Sequence, residues 1–277
     1  MQIARTIAEM KRLRSKCKGS VGFVPTMGYL HEGHLELVRS AKKDNPVVAV
    51  SIFVNPTQFA PTEDFKAYPR DLDRDLALLK SVKTDIVFIP SETEMYPEGY
   101  NTWVVAKGIT ETLEGRSRPT HFQGVTTVCN KLFNIVEPDK AYFGQKDAQQ
   151  VLVIRKMVAD LDMNLEIVVV PTVRESDGLA MSSRNTYLTP DHRQCAVVLY
   201  KSLCLAKDMY GKGERDAAKI KDAMTKLISA VPGAQIDYVS IADIDTLQEV
   251  ERITGKTLVS LAVRIGKPRL IDNIILG

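Results

Sequence analysis

Short unbroken apolar runs alternate with stretches of helical apolar spacing along the first two thirds of this chain. At the start, Ile3, Ile7, Met10 and Leu13 recur at helical intervals. SVGFVP at 20–25 reads as a strand, and the pattern over 32–43 as a helix. VVAVSIFV at 47–54 is apolar almost throughout and rich in β-branched residues, as a strand covered on both faces of a parallel sheet should be. DLDRDLALLKSV at 71–82 predicts an amphipathic helix whose acidic first turn suits the positive end of the helix dipole. DIVFIP at 85–90, KAYFG at 140–144 and LEIVVVP at 165–171 predict three more strands, with a helix over 148–160 between the last two.

This alternation predicts an α/β fold with a parallel sheet and right-handed crossovers. The rhythm changes near residue 176, where SDGLAMSSRNTYLTP is polar and turn-rich. Helical stretches over about 190–209 and 214–230 follow, then three short strands, QIDYVSIA, TLVSLAVRI and RLIDNIIL. Helices followed by clustered strands predict a small α+β domain over 176–277 behind a larger domain over 1–175.

Composition narrows the function classes. With 277 residues, 44% hydrophobic and 26% charged, the chain has the make-up of an ordinary globular protein. A net charge of +3, evenly spread, gives no reason to expect a nucleic-acid or membrane partner. The N-terminal stretch lacks the apolar core of a signal peptide, and no run of 18 apolar residues suggests a membrane span. Four cysteines without CxxC spacing read as reduced thiols, which points to the cytoplasm.

Three polar stretches carry candidate chemistry. In VPTMGYLHEGHLELVRSA (24–41), His31 and His34 stand three residues apart where a helix should open after a strand. A metal site would need further ligands, and neither HExxH spacing nor a nearby His/Cys cluster is present. A pair of locally satisfied capping histidines and a phosphate site both remain open. For the second, helix N-termini collect anions, imidazoles can donate to phosphate oxygens, and Gly28 and Gly33 allow close backbone approach. In GQKDAQQ (144–150), Lys146 offers a compact charge for phosphate and Asp147 an acceptor for ribose hydroxyls, although a solvated turn would look alike. In MSSRNTYL (181–188), two serines and an arginine follow Gly178, as in a loop that closes over polyphosphate or a polar linker between domains.

The first stretch resembles the HIGH motif of Rossmann-like nucleotidyl-transferring enzymes, a superfamily that includes class I aminoacyl-tRNA synthetases. PTMGYLHEGH, SIFVNPTQF, YPRDLDRDL, RPTHFQGVTTV, YFGQKDAQQ and PTVRESDGLAMSSRN occur in that order, and together closely resemble the pantoate–β-alanine ligase (pantothenate synthetase) family. The likeness runs from about residue 20 to 190. It implies a Rossmann-like parallel sheet with a HIGH-type nucleotide site, in an enzyme with ATP, pantoate and β-alanine as substrates. Pantoate's carboxylate would attack the α-phosphorus of ATP, and the amine of β-alanine would then attack the pantoyl adenylate, releasing AMP. Positioning and charge stabilisation would suffice, because the substrates bring both nucleophiles.

Residue by residue, the resemblance makes Met27, Gly28, Tyr29, Leu30, His31, Glu32, Gly33 and His34 the ATP-binding turn. His31 and His34 would contact phosphate, and His34 would donate a proton. Gly144, Gln145, Lys146 and Asp147 match a second ATP segment, Val173 a backbone contact to adenine, and Met181, Ser182, Ser183 and Arg184 the phosphate-closing loop. Gln58 and Gln150 match the pantoate glutamines, with Asn55 on the loop of the first. His121 and Phe122 would line the pocket or pack, Arg116 and Arg118 read as solvated charges, and Trp103 as a packing residue. Gln145 stands where the family commonly has Glu, and Thr120 where it has Gly. Mg2+ should accompany ATP, held by phosphate and water, with no protein ligand named. Asp71, Asp73 and Asp75 read either as outer-shell contacts to it or as a solvated helix start. The family also implies a homodimer and a small domain that closes through 178–188. Another nucleotidyl transferase, such as a cytidylyltransferase, and a non-catalytic nucleotide-binding module are the competing readings.

Overall fold

Six strands form one parallel sheet: β1 (Gln2–Ala4), β2 (Val21–Thr26), β3 (Val47–Ile52), β4 (Ile86–Phe88), β5 (Lys140–Gly144) and β6 (Glu166–Val170). Their order is β1-β4-β3-β2-β5-β6, with every neighbour pair parallel. The computed structural model describes residues 1–60 and 65–277. They divide into two compact units, residues 1–145 with 149–171, and residues 146–148 with 172–277.

Strand alternation sends side chains to two faces. Phe23, Ala49 and Phe143 join one core, packed with residues of α1 (Ile7–Arg14), α6 (His121–Val136) and α7 (Ala148–Asp160). Val24, Val50 and Tyr142 join the other, packed with residues of α2 (Glu32–Asp44) and α3 (Leu72–Ser81). Two short helices, α4 (Glu92–Met95) and α5 (Leu113–Ser117), precede α6. The α/β class and the parallel sheet are those the apolar pattern predicted. The sheet order reverses between β2 and β5. In open parallel sheets, ligands bind at the carboxyl ends of strands where that reversal occurs. The turn after β2 and the segment after β5 therefore leave from the expected place.

Two elements depart from expectation. Ile3 belongs to β1, opposite Val87, and is 42% exposed. The first helix begins only at Ile7, because Thr6 and Glu9 close a reciprocal cap: Glu9 N–H donates to Thr6 Oγ1 and Thr6 N–H to Glu9 Oε2, each at 3.2 Å. Helix α6 was not predicted. Twelve of its 16 residues are buried, and its polar stripe is narrow: Gln123, Asn130, Lys131 and Asn134 are the residues not buried.

In the second unit, β7 (Ala234–Asp243), β8 (Thr257–Ile265) and β9 (Arg269–Leu276) form an antiparallel sheet. Leu199 and Leu203 of α9 (Val198–Gly211) and Ile220 and Met224 of α10 (Ala217–Ser229) share a core with Ile241, Val259 and Leu261. The short α8 (Pro190–Ala196) starts behind the Thr189 cap, with Pro190 in its first turn.

Phe23 is fully buried and meets the Phe133 ring edge to face at 6.4 Å. Phe23→Ala should therefore cost about 3–5 kcal/mol, read as a lower urea midpoint.

Candidate active site

At the end of β2 the chain turns sharply. Gly28 takes φ +80° and Tyr29 φ 50°, and a Cβ on Gly28 would meet Ile52 Cγ2 at 3.0 Å and Asp75 Oδ2 at 3.1 Å. Helix α3 holds this turn. The Asp75 carboxylate accepts the N–H groups of Tyr29 and Leu30, both at 2.7 Å. Arg74 donates to the Leu30 carbonyl at 2.9 Å and lies over the Tyr29 ring at 5.3 Å. Asp75 is 1% exposed. Burial pushes its carboxyl above the ordinary range, while the Leu30 and Tyr29 N–H groups and Arg74 pull against that rise.

Beyond the turn, His31 is the extended N-cap of α2, and His34 stands in its first turn. The rings lie 4.1 Å apart between centroids. His31 N–H donates to His34 Nδ1 at 3.2 Å. A backbone N–H can only donate, so Nδ1 is the lone-pair nitrogen and the neutral ring carries its proton on Nε2. His34 is thereby an oriented donor at a helix N-terminus, a place suited to an anion.

In the same unit a second group gathers around Gln58, 8% exposed. Its amide donates to Met27 Sδ at 3.2 Å and accepts from Asn55 Nδ2 at 3.0 Å. Its carbonyl meets His121 Nδ1 at 2.9 Å and accepts from Arg118 at 3.3 Å. Asn55 also donates to Gly124 O and accepts from Tyr96 OH and Thr57 Oγ1, at 3.1, 2.8 and 3.0 Å. Its four hydrogen-bonding positions are filled, which makes it a brace for Gln58 rather than a group open to substrate. Gly124 permits the approach: a Cβ there would lie 2.4 Å from the Thr57 carbonyl oxygen.

After β5, Gly144 has nothing within 4 Å of an added Cβ. Gln145, Lys146 and Asp147 form a 3-10 turn. The tandem glutamines at the start of α7 separate. Gln149 is buried, accepts from Glu114 N–H at 2.9 Å and donates to the Ile109 and Thr112 carbonyls, each at 2.9 Å. Gln150 is half-buried, and its amide has no hydrogen-bond partner among the described residues.

The smaller unit holds the remaining candidates. Lys146 Nζ is 3.7 Å from Asp147 Oδ1. Val173 accepts Met181 N–H at 3.0 Å, so the two close a hairpin that leads into the loop. Ser182 caps the next 3-10 turn by accepting Arg184 N–H at 3.3 Å, and Ser183 is buried there.

Several expectations change. Leu30 is 1% exposed within a core cluster, with N–H and carbonyl both hydrogen-bonded, so it anchors the turn. The Tyr29 N–H is likewise taken by Asp75. The exposed Glu32 carboxylate pairs with Arg39, leaving its backbone as the part that suits an anion. Arg118 is not a solvated charge, and Asp75 is not part of a solvated helix start; only Asp71 caps α3, accepting from Arg74 N–H at 3.1 Å. Trp103 is 43% exposed, stacked beside Tyr96. Asp75, Tyr96 and Gly124 were missed as supports. Their signal lay in tertiary contacts 41 to 69 residues apart in sequence.

Comparison with known proteins gives one consistent result. A family model described as pantoate-beta-alanine ligase matches residues 2–275. The chain is 57% identical over 281 residues to a pantothenate synthetase of Thermotoga neapolitana, covering 100% of both chains. It is 56% identical over 278 residues to that of Acetivibrio thermocellus, covering 99% of each. Its fold superposes on a crystal structure of pantothenate synthetase from Thermus thermophilus with TM-score 0.95 at 48% identity, covering 99% of each chain. A Francisella tularensis pantoate-beta-alanine ligase, complexed with beta-gamma ATP and beta-alanine, superposes with TM-score 0.82 at 38% identity, over 99% of this chain and 97% of that one.

Asp75→Asn leaves a single acceptor for two buried N–H groups, so stability should fall by about 1–3 kcal/mol in urea unfolding. Burial pushes the Tyr96 phenol up to about 12. Between pH 10, where an unfolded tyrosine ionises, and 12, the folded state holds the extra proton, so stability should fall as pH rises through that window. Tyr96→Phe should flatten that part of the stability–pH curve.

Proposed function

We propose how this protein works from one established premise: the chain belongs to the pantoate–β-alanine ligase family. It is an ATP-dependent ligase that condenses pantoate with β-alanine. The observation that carries the site assignment is the oriented His34 at the opening of α2, after the strand where the sheet order reverses.

In the first half-reaction, pantoate's carboxylate oxygen attacks the α-phosphorus of ATP and pyrophosphate departs with the bonding electrons. Pantoyl adenylate results. His34 donates from Nε2 toward the departing charge, and His31 and the first-turn N–H groups of α2 favour the same oxygens. Lys146 adds a full positive charge, and the Ser182 and Ser183 hydroxyls and Arg184 hold the polyphosphate. The Gln58 and Gln150 amides orient pantoate without adding charge next to its carboxylate. In the second half-reaction the β-alanine amine attacks the acyl carbonyl, AMP leaves, and the amine loses a proton as the amide forms. No enzyme nucleophile is required, so the chain acts by orientation and electrostatics.

Residues 1–175 serve as the ATP- and pantoate-binding domain, and 176–277 as the small domain that supplies Met181–Arg184. Asp147 meets the ribose, and Val173 meets adenine through its backbone. Mg2+ enters with ATP and, when bound, neutralises phosphate charge. Among the described residues no three His, Cys, Asp or Glu side chains converge to hold a metal, and Asp75 and Asp71 are committed to backbone N–H groups. Phosphate oxygens and water would therefore supply most ligands. Among the described residues no helix is long and apolar enough to cross a membrane. A cytoplasmic homodimer without nucleic-acid partners completes the reading.

ATP, pantoate and β-alanine mixed with the protein should yield AMP and pyrophosphate; ADP and phosphate as products would overturn the scheme. His34→Ala should lower pantoate-dependent pyrophosphate exchange by about 100-fold or more, while ATP affinity falls far less. A variant exchanging at the parental rate would remove His34 from the mechanism.

A further inference from the structure

In the smaller unit, strand β9 reads RLIDNIIL, and its two central polar residues are almost completely buried, Asp272 at 2% and Asn273 at 3% exposed. Burying a carboxylate and an amide side by side costs free energy unless each finds directed partners. Asp272 finds Arg174. The two form a bidentate pair, Nη1 to Oδ2 at 2.6 Å and Nη2 to Oδ1 at 2.9 Å. The guanidinium also lies over the Tyr200 ring at 4.2 Å and donates to the Gly178 carbonyl at 3.0 Å. Arg174 bridges Ala180 through its backbone, one residue before Met181. Asn273 acts elsewhere: its Nδ2 donates to the backbone carbonyl of Lys146 at 2.9 Å. The Asp272 carboxylate also fixes the strand's own backbone, since the Asn273 main-chain N–H donates to Asp272 Oδ1 at 2.8 Å.

We propose that Asp272 and Asn273 are positioning residues for adenylate formation, one fixing the hairpin that leads into Met181–Arg184 and the other fixing the turn that carries Lys146. This rests on the reading that those two segments meet the phosphates of ATP. Neither residue touches substrate. An apolar pair would serve stability as well; the polar pair adds direction, holding two segments far apart in sequence to neighbouring residues of one rigid strand. Small misplacements of charge at a reacting phosphorus are costly in rate, so register between Lys146 and the serine loop is worth a buried polar pair.

The test uses the full chain and pantoate-dependent pyrophosphate–ATP exchange in four proteins: parent, Asn273→Ala, Lys146→Ala and the double variant. Asn273→Ala should lower kcat about ten-fold and leave KM for pantoate unchanged. In the Lys146→Ala background the same change should alter the rate by less than about two-fold, because the group being positioned is gone. An equal loss in both backgrounds, or no loss in either, overturns the proposal. If Lys146→Ala turns over like the parent, the phosphate role of Lys146 fails first and takes the inference with it. Hydrogen exchange provides a readout that does not depend on turnover. Asn273→Ala should speed exchange around residues 145–148, and Asp272→Asn around 174–184. A common increase spread over β7–β9 would mean that both residues act only on strand stability.

Discussion

Strands β2 and β5 lie side by side and parallel, yet the chain that follows them diverges: from β2 it continues into α2, packed in one core, and from β5 into α7, packed in the other. That divergence is the constraint on which the rest depends. Helices packed on opposite faces leave the carboxyl ends of the two strands uncovered. Backbone groups in such a place must find partners or meet a ligand. Asp75 consumes the N–H groups of Tyr29 and Leu30, which fixes the turn where it passes the sheet and ahead of the first turn of α2.

A recurrent device is a buried amide that spends its hydrogen bonds inside the protein, close in sequence to a second amide. Asn55 spends all its hydrogen bonds on Gln58, Gly124, Thr57 and Tyr96. Gln149 spends its amide on the 109–114 segment, one residue before Gln150. Asn55 bonds mainly to side chains and Gln149 to backbone, and beside each stands a second amide that is the candidate for substrate. Orientation obtained this way comes from neutral amides, which carry no charge of their own.

Much of this was legible in the chain itself. The parallel sheet followed from unbroken apolar runs, and the His31–His34, Lys146 and Ser182–Arg184 stretches were visible because reactive polar residues sat beside glycines in turns. What escaped was of two kinds. Helix α6 was passed over although Gln123, Asn130, Lys131 and Asn134 recur at helical spacing, because the stripe they make is narrow beside twelve buried residues. The supporting residues hid because their meaning is tertiary: nothing local separates Asp75, which grips a turn 45 and 46 residues away, from Asp71, which merely caps its own helix. Leu30, placed in the nucleotide turn with its neighbours, has a side chain that belongs to the core.

The bond from His31 N–H to His34 Nδ1 has a consequence for the working range of the enzyme. A histidine that helped only as an imidazolium would fall silent in alkaline solution. Here the main chain selects the tautomer, so the uncharged ring still presents Nε2–H to its neighbour. In the proposed step, donation from this ring to leaving pyrophosphate would then survive loss of the ring's charge.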